Sequence, residues 1–138
     1  MNYVVVTAIL VFVVDQLSKR SIESLFGSRQ LQIGKVVQIR LHESRKPRYL
    51  SAATRTAMTT VWIAAFAAAL ILVTVTEMFD TRTALIALGA ALGGAAGNLS
   101  DVLRSHSVRD FIDLGWWPVF NVADVAIVGG IVIAFLPG

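Results

Sequence analysis

Cysteine is absent from the 138 residues, so no disulfide, thiol nucleophile or thiolate metal site contributes to fold or chemistry. Histidine is scarce as well. His42 and His106 are too few and too separated for a metal cluster, and no metal or cofactor is expected. There is no Ser-His-Asp set, phosphate-binding loop or HExxH motif, and Ser18 and Ser100 have no base nearby in sequence. Charged residues make up only 15% of the chain against 56% hydrophobic ones, with a mean hydropathy of +0.71. That balance is too apolar for an ordinary soluble domain of this length and indicates a small integral membrane protein.

What the sequence does have is long apolar runs. Crossing a hydrocarbon core of about 30 Å takes roughly 20 predominantly apolar residues in a helix. Four segments approach that, at about 2–17, 57–75, 84–99 and 119–136. The first and third are short for full spans. The first has no basic leading region and no small-residue cleavage site, so it is expected to be a retained helix rather than a cleaved signal peptide. The expected fold class is therefore an all-α membrane protein, a single domain of four transmembrane helices over 1–138.

Between the first two spans the pattern changes. Nine of the twelve basic residues lie there: Lys19, Arg20, Arg29, Lys35, Arg40, Arg45, Lys46, Arg48 and Arg55. LQIGKVVQIRLHE alternates loosely and is rich in Val and Ile, as a half-buried hairpin would be. A small β-rich extramembrane segment is expected over about 29–50, resting on the membrane surface. Its basic face is either solvated or bound to anionic lipid headgroups. Gly89, Gly93 and Gly97 recur every fourth residue and make one smooth helix face for close packing. Trp116 and Trp117 suit the membrane interface, and Pro118 suits the first turn of the fourth helix.

The polar residues of the apolar segments fall into pairs. Asp15 and Lys19 are four apart, Asn98 and Asp101 three apart, and Asn121 and Asp124 three apart, so each pair shares one side of its helix. An up-and-down chain brings these three ends to one membrane face, together with Asp110 from the last loop. Ionisable groups at membrane depth cost about 2.5–3.5 kcal/mol each on insertion scales, so they face a polar cavity or one another. Headgroups or water at helix ends would account for Asp15 and Asp101. Asp124, preceded by helix from Phe120, is expected to lie inside the apolar boundary. Two carboxylates held together share one proton near neutrality, the arrangement by which an aspartic dyad activates water. Spacing alone leaves Asp110, Asp101 and Asp113 as partners for Asp124.

VVDQLSK (Val13 to Lys19), GGAAGNLSD (Gly93 to Asp101), VRDFIDL (Val108 to Leu114) and FNVAD (Phe120 to Asp124) resemble, in order and spacing, the motifs of the lipoprotein signal peptidases, or signal peptidase II. The resemblance covers most of the chain. It implies a membrane aspartic endopeptidase that removes the signal peptide of diacylglyceryl-modified prolipoproteins just before the lipidated cysteine. It implies Asp110 and Asp124 as the catalytic pair, with Asn98, Asp101 and Asn121 shaping the site and Asp15 and Lys19 matching the first-helix motif. The implied setting is the bacterial inner membrane, with the site near the periplasmic face. The implied partners are the prolipoprotein and membrane lipids, with no nucleic acid, and the chain is expected to act as a monomer. The positive-inside rule would instead place the basic first loop in the cytoplasm; the family orientation is followed here.

The chain departs from the family's pattern twice. Where the family has an Asn-x-Gly-Ala-Ala-Phe-like run, this sequence reads HESRKPRY (His42 to Tyr49). Where an arginine usually follows the aspartate of the third-helix motif, Val102 stands, leaving Arg104 or Arg109 as substitutes. These departures define the alternative, a non-cleaving or altered-specificity paralogue that binds lipidated peptides. A small ion or proton carrier using the buried carboxylates is the third reading.

Overall fold

Good helix formers do not stop where an apolar run stops. In the computed structural model, α1 spans Asn2–Phe26, 25 residues, and continues nine residues past the end of the first apolar segment. At about 1.5 Å per residue it is longer than a hydrocarbon core is thick, so its charged last turns extend past the apolar stretch. The structure describes residues 2–26, 31–33, 37–39 and 81–136, together with positions 53, 56, 57, 60, 61, 63, 64, 67, 68 and 71. Those ten positions are helical and exposed; the rest of the second expected span lies outside the described residues.

Helix α2 spans Arg82–Ser105. Thr81 begins it, its hydroxyl accepting from the Ala84 N–H at 3.1 Å, as an N-cap residue does. It ends at His106, whose backbone turns left-handed with φ of 60° and whose N–H donates to the Val102 carbonyl at 3.1 Å. Helix α3 spans Val122–Ala134 and begins later than the apolar run suggests. Phe120 is drawn into a β-bridge with Ile112, exchanging hydrogen bonds of 2.8 and 3.0 Å, and Asn121 then caps the helix. Pro118 therefore precedes the cap and is not in the first turn of a helix.

Two three-residue strands, β1 (Leu31–Ile33) and β2 (Val37–Ile39), pair antiparallel. β3 (Ile112–Asp113) adds to β2, setting Gln38 opposite Asp113 and Ile39 opposite Ile112. The sheet order is β1-β2-β3. This ties the stretch before α3 to the segment that follows α1, a pairing the sequence did not suggest. Residues 40–50, including HESRKPRY, lie outside the described residues.

Helix α2 is central, packed against both α1 and α3. The four-residue glycine stripe makes this possible: a Cβ on Gly89, Gly93 or Gly97 would run into Val4, Ala8 and Asp15 of α1 respectively. On the other side of α2, a Cβ on Gly94 would meet the Ala123 carbonyl of α3. At Gly97 the obstacle is the Asp15 carboxylate, itself held in place by hydrogen bonds, so Gly97→Ala should cost about 1–3 kcal/mol by overpacking. Thermal unfolding in detergent would show it. Gly129→Ala is the control, because nothing lies within 4 Å of that position and alanine is the better helix former.

The distribution of polarity is inverted. Asp15, Lys19, Asp101 and Asn121 are buried, while Val14, Leu17, Val128 and Val132 are about half exposed or more. On α1 the outward residues Val5, Val6, Ile9, Leu10, Val13, Val14 and Leu17 form one apolar face. A soluble protein does not expose a patch of that extent without covering it. Among the described residues, α1 and α2 are each long and apolar enough to cross a membrane.

Candidate active site

The N-terminus of α3 leaves backbone N–H groups without helical partners, and acidic and amide side chains gather there. The Asn121 side chain accepts from the Asp124 N–H at 3.0 Å. The Asp124 carboxylate reaches back to the Asn121 N–H at 3.1 Å, completing a capping box. Asp15, reaching across from α1, accepts from the Ala123 N–H at 3.1 Å. Three side chains from two helices thus converge on one helix end, where the helix dipole favours negative charge. Asp124 is in the first turn of α3 rather than a full turn inside it, because Phe120 pairs with Ile112 and Asn121 is the cap.

Beside this end lies a buried ion cluster. Lys19 is 1% exposed, and Asp15 and Asp101 are fully buried. The Lys19 ammonium contacts Asp15 Oδ2 at 2.7 Å and Asp101 Oδ2 at 2.8 Å, and donates to Asn98 Oδ1 at 3.1 Å. All three of its protons have acceptors. Because α1 runs to Phe26 and α2 to Ser105, Asp15 and Asp101 lie within their helices; they are not helix ends in headgroups or water. Lys19 can only donate, so its bond fixes the Asn98 amide with oxygen toward the ammonium. The amide nitrogen then donates to Asp124 Oδ1 at 2.8 Å.

Asp110 comes from the irregular stretch between α2 and β3 and is half-buried. Its Oδ1 accepts from the Asn121 amide at 2.7 Å. Asn121, fully buried, also donates toward Asn98 Oδ1 at 3.1 Å. One residue therefore bonds both aspartates, Asp110 through its side chain and Asp124 through its backbone. Burial, and next the neighbouring Asp124 carboxylate, push the Asp110 carboxyl above the ordinary carboxylate range, partly offset by the Asn121 hydrogen bond.

The structure brings together all seven residues singled out from sequence: Asp15, Lys19, Asn98, Asp101, Asp110, Asn121 and Asp124 form one connected network. Asp113 is buried rather than on the surface and accepts from the Gly115 N–H at 2.8 Å, where Gly115 has φ of 79°. Trp116 and Trp117 beyond that turn are exposed and meet edge to face, with ring centroids 5.6 Å apart. The Ser18 hydroxyl bonds its own helix at the Asp15 carbonyl.

Sequence reasoning passed over Gln16. It is buried and donates to the Gly97 carbonyl at 3.2 Å and to Asp101 Oδ1 at 3.3 Å. The available signal was a second polar residue three before Lys19 on the same side of an apolar helix. Of the two candidate substitutes for the missing arginine, Arg104 is exposed at the end of α2, whereas Arg109 bonds Asp101 at 2.5 Å.

Residues 7–137 match the model of the signal peptidase (SPase) II family. A lipoprotein signal peptidase of Moorella thermoacetica is 37% identical over 129 residues, covering 91% of this chain and 85% of that one. Shorter stretches match more closely. The lipoprotein signal peptidase of Syntrophomonas wolfei is 58% identical over 52 residues, 37% of this chain and 35% of its own. That of Mycobacterium avium is 53% identical over 55 residues, 35% and 30% respectively. Two bacterial membrane enzymes solved by the in meso method share the fold, each with a TM-score of 0.79 over 96% of this chain. They are 20% and 22% identical, and 85% and 90% of their chains are covered. With nearly its whole length matched and its polar motifs gathered at one helix end, the chain belongs to the signal peptidase II family.

Proposed function

We propose that this protein is a membrane aspartic endopeptidase that removes the signal peptide of diacylglyceryl-modified prolipoproteins, cutting just before the lipidated cysteine. The observation that carries the reading is Asn121, which bonds Asp110 through its amide and Asp124 through its N–H and so holds two carboxyl groups about one small volume. A water between them attacks the scissile carbonyl. Asp124, both of whose oxygens accept hydrogen bonds, receives the water's proton. Asp110, raised above the ordinary range, is the acid that protonates the carbonyl oxygen. As the tetrahedral intermediate collapses, Asp124 passes the water's proton to the leaving nitrogen and Asp110 takes back a hydroxyl proton, restoring both groups. The likeness to lipoprotein signal peptidases supports the substrate class.

The same reading places the chain as one multi-pass unit in the bacterial inner membrane, acting as a monomer, with its site toward the periplasmic face. The diacylglycerol anchor of the substrate would hold the scissile bond at the depth of Asp110 and Asp124. Trp116 and Trp117, exposed in the stretch between β3 and α3, suit that interface.

The test is incubation of the purified protein in detergent with a diacylglyceryl-modified prolipoprotein, followed by mass spectrometry. A product beginning at the lipidated cysteine is expected. HESRKPRY and Val102 favour a second reading, binding without cleavage. Retained binding of the lipidated precursor with no product would support that one instead.

The raised Asp110 has a stability consequence of definite sign. The folded state holds this proton more tightly than the unfolded chain, so the contribution is fully present below the unfolded value and is lost as pH rises through the folded one. At neutral pH folding must either take a proton onto Asp110 or bury its carboxylate beside that of Asp124, and both oppose it. Asp110→Asn should therefore melt at a higher temperature than the native chain at pH 7, with the difference shrinking toward pH 4, as read by thermal unfolding in detergent.

A further inference from the structure

Asp110 belongs to no helix or strand, so its direction depends on what fixes its neighbours. On one side Phe111 is buried, its N–H donating to the Phe120 carbonyl at 3.1 Å. On the other is Arg109, bound at both backbone and side chain. Its carbonyl accepts from the Asn121 amide at 3.3 Å and its N–H donates to Asp101 Oδ2 at 3.4 Å. Its guanidinium holds Asp101 Oδ1 at 2.5 Å and spans both oxygens of Glu23 at 3.1 and 3.2 Å, with Gln16 Oε1 at 3.4 Å. One side chain thus straps the loop to the C-terminal part of α2 and to two places on α1 about two turns apart.

The charge count gives the strap a second task. Asp15, Lys19 and Asp101 alone carry two buried negative charges against one positive. The position after Asp101 is Val102, fully buried, so α2 supplies no cation of its own there, and Arg104 is exposed. Arg109 supplies it from the loop. We propose that Arg109 is a positioning residue for the cleavage reaction: by clamping Asp101 and Glu23 it fixes the backbone that carries Asp110 and neutralises the carboxylate nearest to it on α2. This rests on the reading of Asp110 and Asp124 as the catalytic pair. Among the described residues, the charged groups that act on Asp110 are Asp124 of α3, Lys19 of α1 and Asp101 of α2, and Arg109 acts through the last of these.

The test uses the full-length protein in detergent with the diacylglyceryl-modified prolipoprotein. Arg109→Ala should lower kcat about 100-fold, the effect of a misplacement on the order of 1 Å, with KM little changed. Its pH–rate profile should move to higher pH, because an uncompensated Asp101 disfavours ionisation of Asp110. Arg109→Lys keeps the charge but loses the planar fork; it should lower kcat about tenfold and restore the native pH profile. Native kcat and pH profile in Arg109→Ala would overturn the proposal. If that variant does not fold, native kcat in a folded Arg109→Lys would overturn it. Asp110→Asn run alongside separates the two readings: an active Asp110→Asn removes the dyad, whereas an inactive Asp110→Asn with fully active Arg109 variants removes only the strap.

Discussion

Asp110→Asn and Asp124→Asn should each lower turnover of the lipidated precursor by about 10²–10⁴-fold, the usual contribution of a positioned acid or base. Both substitutions are nearly isosteric, so helix content should survive in both. The two losses should not add: residues that act on one water form a unit, and the double variant should be about as slow as the worse single one. Asp113→Asn is the internal comparison. Spacing leaves it open as a partner of Asp124, but its side chain accepts from the Gly115 N–H and is turned to that bend, a bond that the asparagine oxygen can keep. Near-native turnover is expected there. Cleavage at native rate by either Asp110→Asn or Asp124→Asn would remove the aspartic mechanism, while a dead Asp113→Asn of native stability would reassign the pair. Product accumulation followed by mass spectrometry reads all four.

Much of the site was legible because each polar pair sits in an apolar run, where a charged residue needs a reason. VVDQLSK, GNLSD and FNVAD announce themselves against Val, Leu, Gly and Ala, and alternating helix directions are enough to bring their ends together. Helix boundaries were less legible, for two reasons. An apolar run marks where lipid lies, whereas α1 runs on to Phe26 and α2 to Ser105, so Lys19 and Asp101 prove to be inside their helices and buried. At α3 a long-range contact overrides the run: Phe120 pairs with Ile112, and Asn121 becomes the cap. The β2–β3 pairing could not be read because Ile112 and Asp113 make a strand only two residues long, too short for any periodicity. Arg109 was one of two candidates, and only the path of the loop back over α2 separates it from Arg104.

Lys19→Met should be the most damaging single substitution for folding. The native ammonium touches Asp15, Asp101 and Asn98 in a place where neither carboxylate has access to water. Methionine fills similar space but leaves two facing carboxylates with one remaining cation, Arg109. Breaking a buried pair by removing one partner costs about 3–5 kcal/mol, against a total stability of about 5–15 kcal/mol for a typical domain. Much of that cost is the uncompensated charge rather than the lost bond, which makes the prediction testable by repair. Adding Asp15→Asn removes one of the stranded charges while keeping an oxygen for the Ala123 N–H. The double variant should recover part of the loss, with a coupling of about 0.5–3 kcal/mol as for residues in one network. Activity should recover less than stability does. Without the ammonium the Asn98 amide keeps only the Asn121 donor on its oxygen at 3.1 Å, so the donor to Asp124 at 2.8 Å is held less firmly. Thermal unfolding in detergent and precursor cleavage, measured on the same samples, check both halves. A Lys19→Met protein melting at the native temperature would show that the cluster tolerates the uncompensated charge, and the electrostatic account of the bundle would fail with it.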